Sequence, residues 1–190
     1  VQNIVMTLVG SSQFAENYRT PVVVVLDDDG LINAFAAPGN FVFVSTGMLN
    51  FVDSEDELAF VLAHEIAHIE LDHGLNAIKK KQSADLFKDF AGNKFEGLGD
   101  LLDIAENGFS ADLEGEADTR GAEIAASAGY DPQAGVAVID KLEALQGRKH
   151  ATGYPVDRKS AVSEVASRFE KNSESGIRVR LKRFNERLNR

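Results

Sequence analysis

The sequence predicts an α+β domain, mostly helical, with a small antiparallel β-sheet near its N-terminus. Three observations carry this expectation. β-Branched and aromatic runs bounded by turn residues fill positions 21–44. At Ser54 the apolar spacing changes to a helical period. From there onward, helical stretches alternate with breaks marked by glycine and proline.

The run Pro21–Leu26 reads as a first strand, closed by the turn cluster Asp27–Gly30. Leu31–Ala37 reads as a second strand, and Pro38-Gly39-Asn40 as a tight turn. Phe41–Val44 is the third, so two hairpins would build the antiparallel sheet. Ser54, followed three positions later by Glu57, is a capping box. Leu58, Val61, Leu62, Ile66 and Ile69 then mark one broad apolar face of a helix that runs to about Asp72. Further helices are expected over 75–90, 110–128, 131–145, 158–171 and 176–188. Glycine-rich or proline-containing loops are expected over 91–99 and 146–157. With no internal repeat and 190 residues, the chain reads as one domain with its core over about 20–170 and a last helix behind it.

Composition narrows the chemistry. Hydrophobic residues make up 44% and charged residues 26%, an ordinary globular balance. There is no cysteine, which excludes disulfides and thiolate metal sites, so any metal must be held by His, Asp or Glu. The formal net charge of -10 argues against nucleic acid as a partner, since phosphates would be repelled. It also gives no attraction to anionic membrane surfaces. No apolar run reaches the length of a transmembrane helix, so membrane association is not expected through this segment. No basic start followed by a long apolar run is visible, so no signal peptide is expected within it. The locally basic stretch 177–190 reads as a solvated amphipathic helix.

His64-Glu65-Ile66-Ala67-His68 is an H-E-x-x-H sequence inside the capped helix. Residues four apart share a helical face, so His64 and His68 can reach one zinc ion, and Glu65 stays near enough to act as a base. A purely structural histidine pair would strand Glu65 near the buried face without a partner, which is costly. Zinc in a catalytic site needs a third protein ligand and an open position. A histidine six residues after His68 would be one pattern, but that place is Gly74. His73, five residues on, would lie well around the helix and is expected to pack rather than to ligate. A Glu on a later helix is then expected, and the segment 109–118 offers it. Glu114 and Asp118 share a face, with Glu114 as ligand and Asp118 as acceptor for the free ring N–H of a ligating histidine. Glu116 points elsewhere, and Ala117 lets two helices approach closely.

These segments resemble the M48 family of zinc metallopeptidases. The resemblance rests on Asn33-Ala-Phe-Ala-Ala-Pro-Gly39 with Val44-Ser-Thr-Gly-Met-Leu49, on His64–His68, on Glu114-x-Glu-Ala-Asp118 and on Gly129-Tyr-Asp-Pro132. It covers about residues 20–170. It implies a zincin-like (gluzincin) fold and zinc held by His64, His68 and Glu114. Glu65 would be the general base and Asp118 the group behind a ligand. Many relatives carry a His-Pro pair followed by Arg in the later loop; here that place reads Gly153-Tyr-Pro155 with Arg158 beyond. Tyr154, or the nearby His150, could then donate to the developing oxyanion. The strand Leu31–Ala37, through Asn33, Ala34 and Phe35, is the candidate edge for an extended substrate.

The resemblance implies an endopeptidase acting on peptides or unfolded proteins in bacterial periplasmic or envelope quality control. The alternatives are a zinc-binding, largely latent chaperone-like module and a hydrolase of non-peptide amides. The oligomeric state is left open by the sequence.

Overall fold

The structure, a computed structural model, describes residues 1–12, 20–37, 39–77, 109–146, 158–169, 179–180 and 182–186. The expected loop over 91–99 and the loop holding His150 and Tyr154 lie outside the described residues, as does the 75–90 helix beyond residue 77.

Helix α1 (Gln2–Gly10) opens the chain, burying Ile4, Val5, Leu8 and Val9 on one stripe at helical spacing. Three strands come next: β1 (Val22–Leu26), β2 (Ala34–Ala37) and β3 (Phe41–Ser45). Their order is β1-β3-β2. The expected all-antiparallel sheet is therefore corrected. β2 and β3 pair antiparallel through the turn at Gly39 (φ 91°) and Asn40 (φ 65°), but β1 pairs parallel with β3.

The reason lies in the segment after β1. Asp28 does make a turn, its Oδ1 accepting the N–H groups of Gly30 at 3.0 Å and Leu31 at 3.1 Å. The chain then crosses past the end of β3 instead of doubling back beside β1. It passes so close to Gly47 that a Cβ there would lie 2.2 Å from the Leu31 carbonyl oxygen. β2 thus arrives on the far edge, and β3, whose Val42 and Val44 are fully buried, takes the centre.

Helix α2 (Thr46–Phe51) is capped by Ser45, which accepts the Met48 N–H. Helix α3 (Glu55–Glu70) starts at Ser54 as expected: Ser54 accepts the Glu57 N–H at 3.1 Å, while Glu57 reaches one residue past the cap and accepts the Asp53 N–H at 2.8 Å. α3 is buried along most of its length and forms the axis of the domain. Around it pack α4 (Ala111–Ser127), α5 (Gln133–Gln146) and α6 (Arg158–Arg168). Leu8, Leu62, Ile66, Ile124, Val138, Ile139 and Val162 are the fully buried centre of this packing. Among the described residues, no helix is long and apolar enough to cross a membrane.

The basic C-terminal stretch is not simply solvated. Residues 179–180 and 182–186 are helical, and Phe184 is buried. Arg180 pairs with Asp56 at 2.7 Å, and Arg183 pairs with Glu55. Glu55, Asp56 and Glu57 are all buried in the first turn of α3, where the helix dipole favours negative charge. The arginines, with Lys141 on Glu57 at 2.7 Å, supply the cations that such buried acids need.

Candidate metal centre

The site lies where α3 and α4 cross. Gly121 makes the crossing possible: a Cβ there would sit 2.9 Å from both the N and the Cα of His64. Ala117 and Asp118, one turn earlier on the same face, are completely buried. This close approach brings Glu114 over the histidine face of α3.

His64 Nε2 and His68 Nε2 are 3.0 Å apart. Glu114 Oε2 is 3.4 Å from His64 Nε2, and Glu114 Oε1 is 3.8 Å from His68 Nε2. A tetrahedral zinc site with bonds near 2.0–2.1 Å has ligand–ligand edges of about 3.3 Å. The three side chains therefore already stand at metal-ligand spacing, and they alone form such a group among the described residues. The tautomers agree. Asp118 Oδ1 lies 3.0 Å from His64 Nδ1, which favours a proton on Nδ1 and leaves Nε2 as the atom that would bind a metal once its own proton is displaced. Two imidazole nitrogens and a carboxylate oxygen converging at this spacing fit a cation, which would displace the protons these atoms share in its absence.

Each donor is held by a partner. Asp118 is gripped by Arg158, whose Nη2 donates to Oδ1 at 2.7 Å and whose Nε donates to Oδ2. Arg158 also approaches Glu114 Oε2 at 3.5 Å. The Phe109 N–H donates to Glu114 Oε1 at 3.1 Å, which helps turn the carboxylate toward the histidines. The Phe109 ring stacks on His68, with centroids 4.3 Å apart and planes at 19°. His68 Nδ1 faces His73 Nδ1 at 2.9 Å, and Glu116 Oε2 lies 3.4 Å from His73 Nε2.

Without a metal, His64 takes up a second proton that a cation would displace. Burial alone would lower His64, but its hydrogen bonds to Asp118 and Glu114 reverse that and push it up to about 10. Burial, with the neighbouring His64 charge, lowers His68 to about 3. For Glu114, burial works upward and is outweighed by the His64 bond and the nearby cations, leaving it at about 2. Asp118 is also held low: burial opposes, and the bonds from Arg158 and His64 prevail. Burial pushes Glu65 up to about 7, with the His64 charge and a hydrogen bond from the Ala36 backbone pulling the other way.

The sequence-expected residues are thus mostly brought together. His64, Glu65 and His68 stand on α3, and Glu114 and Asp118 face them from α4. Glu116 turns away from Glu114 as expected, its side chain mostly exposed, but its Oε2 lies 3.4 Å from His73 Nε2. Ala34 and Phe35 lie on the edge strand β2, where Phe35 stacks on Phe43 with centroids at 4.8 Å. Asn33 spends its backbone on Ser45: its N–H donates to Oγ at 3.2 Å, and its carbonyl accepts the Ser45 N–H at 3.0 Å. Further along β2, Ala36 bonds through its backbone to Glu65, and Ala36 and Ala37 line a cavity together with His68. Its volume is about 160 Å³, and Ile69, Leu75 and Phe109 wall it too. His150 and Tyr154 lie outside the described residues.

Sequence reasoning missed His73 and Phe109 as neighbours of His68, and it did not join Arg158 to Asp118. The Arg158 contact had a signal: a buried carboxylate such as Asp118 calls for a cation.

The chain has relatives among known proteins. The chain is 32% identical over 143 residues to the Beta-barrel assembly-enhancing protease of Yersinia pestis, covering 67% of this chain and 29% of that protein. It is 33% identical over 121 residues to the Mitochondrial metalloendopeptidase OMA1 of Schizosaccharomyces pombe, covering 61% and 36%. It is 30% identical over 159 residues to the Metalloendopeptidase OMA1, mitochondrial, of Danio rerio, covering 75% and 33%. The chain spans about a third of the length of these curated relatives. The model of Peptidase family M48 matches residues 1–167, and the chain belongs to that family.

Proposed function

We propose that this chain carries the catalytic region of a zinc-dependent endopeptidase. In this reading His64, His68 and Glu114 hold one zinc ion, and Glu65 is the general base. The observation that carries the reading is the convergence of two imidazole nitrogens and a carboxylate oxygen within 4.8 Å of one another. Glu65 stands buried beside them on the same helix. Membership of a peptidase family supports the reaction class.

When bound, zinc supplies a Lewis acid that polarises a carbonyl and acidifies water. The protein's own groups do the rest. Asp118 fixes the His64 ring by accepting its Nδ1–H, and Arg158 fixes Asp118. Glu65 takes a proton from the attacking water and returns it to the departing amine. An extended peptide can add to β2, the edge strand among the described residues, with one side chain entering the cavity beside Ala36 and Ala37. Tyr154 or His150 is the proposed donor to the developing oxyanion, on its place in the chain alone.

The substrate class is peptide or unfolded protein. A role in protein quality control, in the bacterial periplasm or envelope, is proposed from the likeness to the β-barrel assembly-enhancing protease. The OMA1 relatives are mitochondrial by name, so fractionation of the source cell is the check on location.

Glu65→Gln tests the reading. It should keep zinc and lower casein cleavage by about 10²–10⁴-fold, the usual worth of a general base. Zinc-loaded wild-type protein that leaves casein intact while splitting small amides would point to the other hydrolase class. A Glu65→Gln variant with full biological effect would establish the latent chaperone-like module instead.

A further inference from the structure

Helix α3 ends at Glu70, and the turn after it brings a third imidazole to the site. The Leu71 N–H still bonds to the Ala67 carbonyl at 2.9 Å, but Asp72 adopts φ 55°. That left-handed residue reverses the chain, and a helical turn resumes over 73–77. His73 therefore does not continue around α3. It folds back over the end of the helix, where it is only 3% exposed.

The two Nδ1 atoms of His68 and His73 face each other at 2.9 Å, a distance that requires one proton between them. In the metal-free protein that proton can sit on either ring. A cation on His68 Nε2 removes the choice. The lone pair of Nε2 is then used, so the His68 proton must be on Nδ1, and His73 Nδ1 must accept it. The His73 proton then moves to Nε2, a buried atom that has no hydrogen-bond partner as it stands and whose nearest carboxylate oxygen is Glu116 Oε2 at 3.4 Å. With a cation on His68 Nε2, one arrangement then follows: His68 Nδ1–H donates to His73 Nδ1, and the His73 Nε2–H lies on the side of Glu116, which a small turn of its exposed side chain would bring into hydrogen-bond reach. Without His73, the His68 ring, 3% exposed, would carry a buried N–H with no acceptor.

We propose that His73 is a positioning residue of the metal site, accepting the Nδ1–H of His68 as Asp118 accepts that of His64, with Glu116 fixing its tautomer. This inference rests on the metal-site reading above. The two ligand histidines are then held differently. His64 leans on a carboxylate gripped by Arg158, while His68 leans on another imidazole ring.

The test is zinc affinity by chelator competition on the full chain, for wild type, His73→Leu, His73→Asn and Glu116→Ala. Loss of such a partner weakens metal binding by about 10–100-fold, which is expected for His73→Leu. His73→Asn, whose amide oxygen can stand where Nδ1 stood, should recover most of that loss. Glu116→Ala should show a smaller loss in the same direction. Cobalt substitution gives a second readout: the visible spectrum should shift in His73→Leu and return in His73→Asn.

Should His73→Leu fail to fold, nitrogen-15 NMR of the zinc-loaded wild type decides the matter. It should show His68 protonated at Nδ1 and His73 at Nε2. His73→Leu binding zinc as tightly as wild type, Asn failing to rescue, or His73 protonated at Nδ1 would each overturn the proposal. Failure of wild type to bind zinc would overturn the metal reading itself and this inference with it.

Discussion

Alanine at Gly121 would place a methyl carbon 2.9 Å from the N and Cα of His64 and 3.2 Å from the carbonyl carbon of Ala63. All three are backbone atoms of α3, so no side chain can rotate away. Ordinary contact begins at 3.4 Å, so α4 must retreat by about 0.5 Å (3.4 minus 2.9). Two stability effects oppose each other. Replacing glycine within a helix gains about 1 kcal/mol. Overpacking costs about 1–3 kcal/mol. The net loss should be about 1 kcal/mol, or about 2–4 °C in Tm for a chain of this size.

The metal should feel it more. α4 carries Glu114 and Asp118, and ligand distances in a metal site tolerate only about 0.2 Å. Zinc affinity should therefore fall by about tenfold or more, out of proportion to stability. Calorimetry of the metal-free protein and chelator competition measure the two effects separately. Gly115→Ala is the control, because a Cβ there meets nothing within 4 Å; it should stabilise and leave zinc binding alone. Zinc affinity in Gly121→Ala equal to wild type would refute the claim that this helix approach sets the site.

The same geometry sets other expectations. Arg158→Met removes the cation gripping the fully buried Asp118 and should cost about 3 kcal/mol in denaturant unfolding, as broken buried pairs do. Arg158→Lys should recover only part of this, since one ammonium cannot reproduce the fork. Asp72→Val puts a β-branched residue at φ 55°, which should cost about 1–3 kcal/mol and weaken zinc binding by displacing His73. Asp72→Asn, which tolerates that conformation, should do neither. A double reversal, Arg180→Glu with Arg183→Glu, sets like charges against Asp56 and Glu55 and should lower Tm. High salt should narrow that difference from wild type.

What the sequence showed was what local rules govern. The capping box at Ser54 and Glu57 fixed where α3 starts, and the spacing of His64 and His68 put both on one face. Glu114 and Asp118 were legible because four-residue spacing survives any packing of α4. Errors entered where long-range geometry decided. The turn at Asp27–Gly30 was read correctly, yet a turn does not say which side of β3 the next strand will join. His73 was placed by continuing a helix that Asp72 had already ended. The arginines of the C-terminal stretch looked solvated because their acidic partners lie over 120 residues earlier in the chain.

Zinc stoichiometry bears most directly on the central claim. Metal analysis after zinc loading and exhaustive dialysis should find about one ion per chain in the wild type, the number a single mononuclear site takes. Glu114→Ala, still folded by circular dichroism, should hold markedly less. No retained zinc in the wild type, or retention undiminished without Glu114, would contradict the assignment of this three-ligand centre.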